Sequence, residues 1–286
     1  MKKFFRNNLN FFLQSYLKKI NTFHNIHKNK KCYILGDGYS IKYFDLKKFS
    51  NYISFTCGKM YLHRDFSKLK NKYIVSCDPF WLTPFFLTLK NKYGDDPQSK
   101  ENKFLKYEPL TNNLKQFILK NNDINFFVDL TNLPFTHKNH NITHLSNGAK
   151  NNKFNSLFSS LNCDNYFGQT LPTSIILAIY MGFSDIYLVG CDYTHFPSRS
   201  IHWFEKGNPV ISYGRHDNYL KDFFHKVKNI VNITTITLDG KAKNLNYLTY
   251  EKYTNAKINF KENNILLNDN NLEDLSIAKW FGYRIK

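Results

Sequence analysis

Two short stretches combine glycine with polar side chains: Gly36-Asp37-Gly38-Tyr39-Ser40 and Gly190-Cys191-Asp192-Tyr193. Paired glycines let a backbone come close to a phosphate or ribose, and Ser40 adds a donor; a tight turn with no ligand fits the same residues. The first stretch is not a dinucleotide fingerprint, because Ile41 stands three residues past Gly38, and it lacks the Gly-Lys-[Ser/Thr] ending of a phosphate loop. Asp192 could hold a ribose or a metal, or could cap a turn. No Asp-x-Asp occurs, so the usual signature of a metal-dependent sugar transferase is missing and no metal is expected.

Three histidines, His195, His202 and His216, follow Asp192. His216 stands just before a helical pattern. With an ordinary pKa of about 6.5 it could act as a general base, although spacing alone fits a solvated loop histidine better. His137, His140 and His144 would share one face of a helix and could share a metal, but the Lys and Asn around them favour a loop.

Both glycine stretches need a strand before them. Lys31 to Leu35 is a short apolar run that ends at the first. Asp185 to Val189 ends at the second, after a helical pattern over Gly168 to Gly182 in which Ile175, Ile176, Ile179 and Tyr180 recur and Thr170 or Thr173 can serve as cap. Runs buried on both faces are expected of parallel strands, and groups past their carboxyl ends line the ligand crevice of open α/β sheets. Further strands are expected at Tyr52 to Cys57, Lys72 to Ser76, Asn125 to Asp129 and Ile233 to Leu238. Helical segments are expected at Ile41 to Phe49, Trp81 to Leu89, Asn218 to Val231 and Leu275 to Ile285. Gly94 to Ile124 is polar without a clear pattern, Thr136 to Lys153 reads as loop, and Pro197 to Gly214 as a loop or lid over the crevice. The fold expected is α/β: a Rossmann-like, mostly parallel sheet with flanking helices and a lid.

The 286 residues carry 40 Lys+Arg against 22 Asp+Glu, a formal charge of +18. Such a balance fits an anionic partner, either nucleic acid, membrane surface or phosphorylated substrate, and also fits the drift of a Lys- and Asn-rich composition. Nucleic acid is disfavoured, since arginine is scarce and no recognition motif appears. Five cysteines without a Cys-x-x-Cys read as buried thiols of a reducing compartment. No run approaches the ~18 apolar residues of a spanning helix, and no secretory signal is read at the start. Residues 1–30 read as a basic amphipathic helix, with Phe5, Phe12, Tyr16 and Ile20 on one stripe. It could lie on an anionic membrane or dock on the domain or on a second subunit. The expected organisation is this helix, a catalytic domain over 31–240 with a lid at about 194–214, and a basic segment over 241–286. The expected location is the cytoplasm, with the inner face of its membrane as a peripheral site.

The two glycine stretches resemble those of the bacterial lipooligosaccharide sialyltransferases of glycosyltransferase family 42. That family has a Gly-Asn-Gly-Pro-Ser turn where this chain has Gly36 to Ser40. It has a Gly-Tyr-Lys-Glu-Ile-Tyr-Leu-type strand leading into Gly-Ile-Asp-Phe-Tyr where this chain has Gly182 to Tyr193. A related pattern occurs in the motility accessory factor superfamily. The resemblance implies a GT-A-like variant fold and metal-independent, inverting transfer of a sialic-acid-like sugar from a CMP-activated donor to a surface glycan or lipid-linked oligosaccharide. It implies that His216 is the base, that Gly36, Asp37, Gly38, Ser40, Asp78, Thr170 and Asp192 surround the nucleotide, and that Tyr193, His195, His202 or Tyr213 steadies the leaving phosphate. Asp37 and Gly58 stand where the family has Asn, Phe167 where it has Arg, and Thr194 where it has Tyr. The rivals are a pterin pyrophosphokinase using ATP and Mg²⁺ and a basic nucleic-acid-binding protein. Oligomeric state stays open.

Overall fold

The computed structural model describes residues 13, 15–77, 82, 113–146, 153–213 and 220–267. Its frame is an eight-stranded sheet in the order β10-β9-β6-β1-β2-β3-β4-β5, with every neighbouring pair parallel. The strands are β1 Lys31–Leu35, β2 Ile53–Cys57, β3 Lys70–Ser76, β4 Asn125–Asp129, β5 Ile142–Leu145, β6 Asp185–Val189, β9 Asn232–Thr237 and β10 Asn246–Thr249. β7 Ser198–Ser200 and β8 Val210–Ser212 form a separate antiparallel pair. β1 is central: the chain first builds outward from it through β2 to β5, then crosses back to place β6, β9 and β10 on its other side. The order therefore reverses between β1 and β6. At such a switch point the connections leave in opposite directions and a crevice opens past the carboxyl ends of both strands.

Burial on both faces explains the apolar runs. Tyr33, Ile34 and Leu35 of β1 are all 0% exposed. On one face Ile34, Phe55 and Leu188 pack with the helices Lys153–Ser160 (α1), Thr170–Tyr180 (α2) and Lys221–Val227 (α3). On the other, Tyr33 and Leu35 pack with 3-10 turns at Tyr39–Tyr43, Leu46–Phe49 and Met60–Leu62, and with Leu114 and Ile118 of the helical residues 113–120. α2 is almost wholly buried. Gln169, rather than Thr170 or Thr173, holds its N-cap position, without a side-chain cap. Its end is a Schellman closure: Gly182 takes φ 87°, its N–H donates to the Ile179 carbonyl at 2.9 Å, and Phe183 N–H donates to Ala178 at 3.1 Å.

Several expectations are revised. Thr136 to Lys153 contains β5, whose four residues are all buried, so local Lys and Asn content was overridden by tertiary burial. His144 lies on β5, while His137 and His140 are exposed outside it; the three share no helix face. The basic C-terminal segment supplies β10 and the helix Tyr250–Thr254 (α4), and buried Tyr250 stacks on Phe44 with centroids 4.6 Å apart. Leu17, Ile20 and Phe23 are buried against the domain, with Phe23 edge-on to Phe127 at 5.0 Å, so this part of the N-terminal stripe is not offered to a membrane. The stripe's Phe5 and Phe12, and the segments expected to be helical at Trp81 to Leu89 (Leu82 apart) and Leu275 to Ile285, lie outside the described residues. Among the described residues no helix is long and apolar enough to cross a membrane. All five cysteines are buried free thiols.

Two buried histidines make the fold acid-sensitive. Burial, helped by Lys261 and Arg64, pushes His63 down to about 3. Burial and Lys19 push His144 to about 4 against the opposing Asp129. The unfolded chain takes up these protons below about pH 6.5 and the fold does not, so stability falls as pH drops from there towards 4. Each histidine contributes a slope of up to about 1.4 kcal/mol per pH unit. His63→Gln should flatten this limb in urea titrations at pH 6.5 and 4.5; an unchanged slope contradicts the assignment.

Candidate functional site

The switch-point crevice is a cleft of 370 Å³ whose walls include Gly36, Gly38, Thr170, Asp192, Arg199 and His202. β1 and β6 are in register from Lys31 opposite Asp185 to Leu35 opposite Val189, so their two glycine turns emerge side by side. Gly36 N–H donates to the Val189 carbonyl and Gly38 N–H to the Gly190 carbonyl, each at 2.8 Å. The approach is too close for side chains. A Cβ on Gly36 would sit 2.7 Å from the Gly190 oxygen, and Gly190 itself adopts φ 66°.

Asp192 fastens the two turns. Its carboxylate is 2% exposed and accepts Ser40 N–H at 2.8 Å and Ser40 Oγ–H at 2.5 Å. Ser40, expected to face a phosphate, is thus buried behind the cleft with its hydroxyl committed to Asp192. His195 is 1% exposed, with Nδ1 3.7 Å from Asp192 Oδ1. Burial lowers its pKa, against the attraction of Asp192, which favours the neutral ring.

Asp37 and Gly58 depart from the family pattern together, and the geometry shows why. A Cβ on Gly58 would collide with the Asp37 Oδ2. The missing side chain leaves room for that carboxylate, which accepts Lys59 N–H at 2.6 Å and the Trp203 indole N–H at 3.3 Å. Burial raises the Asp37 pKa, and His202, Lys59 and Trp203 oppose the rise. Its charge is directed at these donors.

The segment expected as a loop or lid is a pinned hairpin. β7 pairs with β8, Gly38 and His202 form an antiparallel bridge, and Trp203 N–H donates to the Asp37 carbonyl at 3.0 Å. Trp203 is 0% exposed, so the hairpin is anchored through the core. Its return brings His202 to the cleft with Glu205, whose carboxylate is 2.6 Å from His202 Nδ1 and 3.0 Å from His202 N. A carboxylate on Nδ1 fixes the ring's orientation and tautomer.

Of the residues singled out in the sequence, Gly36, Asp37, Gly38, Thr170, Asp192, Tyr193 and His202 line the cleft. Tyr213 is 67% exposed, edge-on to Phe196 at 5.8 Å, and is not among the lining residues. His216 and Asp78 lie outside the described residues. Sequence reasoning missed Glu205, Gln169 and Arg199. Glu205 is three residues past His202, a spacing that could have flagged it. Gln169 brings a buried amide oxygen without a hydrogen-bond partner to the cleft. Arg199 was one of few arginines in a lysine-rich chain, and its position after Asp192 was the available signal. Past Tyr193 and Leu220, which also line the cleft, a narrow groove continues along Lys243, Asn244 and Leu245. Among the described residues no three His, Cys, Asp or Glu side chains come together as a metal site.

No family model matches the chain, and no curated protein matches it. Solved structures do. The chain is similar to the sialyltransferase CstII from Campylobacter jejuni, solved with cytidine-5'-monophosphate: 18% identity over 82% of this chain and 91% of that one, with a TM-score of 0.45. An α-2,3-sialyltransferase from the same organism in apo form aligns at 17% identity over 89% and 95%, TM-score 0.42. The monofunctional α-2,3-sialyltransferase Cst-I from Campylobacter jejuni aligns at 19% identity over 89% and 95%, TM-score 0.39.

Gly58→Ala should destabilise the fold by about 1–3 kcal/mol, through φ 56° and the collision with Asp37. Asp37→Ala in the same chain should remove the steric part, giving a coupling of about 1 kcal/mol or more in a double-mutant cycle. Additive costs contradict the shared space.

Proposed function

We propose that the protein is a glycosyltransferase that moves a sialic-acid-like sugar from a CMP-activated donor to a bacterial surface glycan or lipid-linked oligosaccharide. The observation that carries this reading is the cleft at the β1–β6 switch point, walled by two interlocked glycine turns beside His202, Tyr193 and Thr170. The residue pattern of both turns, like that of the family named above, supports CMP as the nucleotide.

The chemistry asked of such a site is modest in kind. The acceptor oxygen forms a bond to the anomeric carbon, the bond from that carbon to the donor phosphate breaks, the acceptor proton passes to a base, and CMP leaves with the electron pair. Single displacement inverts the anomeric centre. We assign the base to His216 on the residue pattern alone; a positioned base contributes ~10²–10⁴-fold. Charge grows on the leaving phosphate, and hydrogen-bond donors fixed beforehand in a covered cleft stabilise it. Tyr193 is the donor proposed there, joined by His202 in its imidazolium form, since Glu205 takes the Nδ1–H and a neutral ring leaves Nε2 without a proton.

Thermal unfolding against CMP, CDP, UDP, GDP and ATP, with Mg²⁺ or EDTA, tests the nucleotide. CMP at ~100 times its Kd should add about 2.7 kcal/mol, with or without EDTA. A shift by ATP with Mg²⁺ and none by CMP would replace this reading with the pyrophosphokinase. His216→Ala should lower transfer from CMP-sialic acid by ~10²–10⁴-fold while CMP binding persists; full transfer in that variant removes His216 from the step.

A further inference from the structure

We propose that Arg199 is the group that receives the donor's phosphate. The inference rests on the CMP-donor reading and adds a residue that the family pattern does not supply. Arg199 lies on β7, is 9% exposed and lines the cleft. One arm of its guanidinium is occupied: Nη2 donates to Asp239 Oδ1 at 2.6 Å. The other, Nη1, is buried without a hydrogen-bond partner among the described residues. A charged donor hidden from water and left unpaired is costly, so a buried guanidinium calls for an acceptor.

The anions already present do not serve. The Asp37 carboxylate takes Lys59 N–H and the Trp203 indole, and the Asp192 carboxylate takes both donors of Ser40. Among the described residues nothing accepts from Nη1, which leaves it for a bound anion. A guanidinium held by one carboxylate with its other arm unpaired fits an oxyanion such as a phosphate oxygen. The hairpin supplies the rigidity: β7 is paired with β8, and Phe196, three residues before Arg199, exchanges backbone hydrogen bonds with Lys241. Arg199 is thereby fixed before the donor arrives. It would neutralise the ground-state phosphate and, more strongly, the charge that grows on it as the sugar departs.

The test is titration calorimetry of the full chain with CMP and with cytidine. Wild-type protein should prefer CMP by ~10-fold or more, the range of a charge-assisted hydrogen bond. Arg199→Gln should bring that ratio towards one with cytidine affinity unchanged. Should Arg199→Gln fail to fold, Arg199→Lys serves: a single ammonium cannot span Asp239 and the phosphate equally well, so the ratio should still fall. A variant that folds and keeps the wild-type ratio overturns the assignment. So does a loss seen with CMP-sialic acid but not with CMP, which would place Arg199 on the sugar carboxylate. Wild-type protein that binds CMP and cytidine equally leaves the nucleotide site standing and overturns the phosphate role. Wild-type protein that binds neither overturns the donor reading and this inference with it.

Discussion

A single buried carboxylate holds the centre of the molecule together. Asp192 stands at the end of β6 and takes the backbone N–H and the hydroxyl of Ser40, which follows β1 by five residues. At 2% exposure the carboxylate is cut off from water, and these donors supply the hydrogen bonds that water would. Removing either partner leaves an unsatisfied buried group, so the two glycine turns keep one relative position. Every other feature of the cleft is measured from that fixed edge: Gly36 and Gly38 packed on the Gly190 backbone, Asp37 turned to Lys59, and the hairpin laid across Asp37 and Gly38.

The hairpin converts an open crevice into a walled one. In a sheet with a switch point, the space past β1 and β6 is open to solvent on its outer side. Trp203, fully buried, and the bridge from His202 to Gly38 close that side with fixed backbone. The same span carries Arg199 before it and Glu205 after it, so one anchored segment delivers the positive charge, the imidazole and the carboxylate that orients the imidazole. A site with this much fixed polarity stabilises developing charge without reorganising at the moment of reaction.

Much of the frame was legible in the sequence. β1, β4 and β6 carry apolar residues in succession, as burial on both faces requires, while β2 and β9 interleave Ile or Phe with Ser and Thr and were legible through their β-branched and aromatic content. The two glycine stretches announced the crevice because glycine at a strand end has a steric meaning that few other contexts share. β5 did not announce itself: Ile-Thr-His-Leu is too short and too polar, and His144 there is satisfied by Thr136 at 2.7 Å, a partner eight residues away that no periodicity reveals. β10 and Tyr250 lay in a Lys- and Asn-rich stretch whose composition masked the few residues that reach the core. Ser40 read as a ligand donor because its commitment to Asp192 spans 152 residues. Arg199 carried one signal, a rare arginine placed after Asp192, but its buried Nη1 without a partner among the described residues depends on the packing of the hairpin and leaves no mark in a sequence.

The central claim is positional: the nucleotide sits at the carboxyl ends of β1 and β6, under the hairpin. A crystal structure of the full chain soaked with CMP addresses it directly. The account predicts CMP against the Gly36–Gly38 turn and Gly190, with its phosphate towards the hairpin that carries Arg199 and His202. CMP found instead in the open hollow beside α3 and the start of β9, with the β1–β6 cleft filled only by solvent, would contradict it.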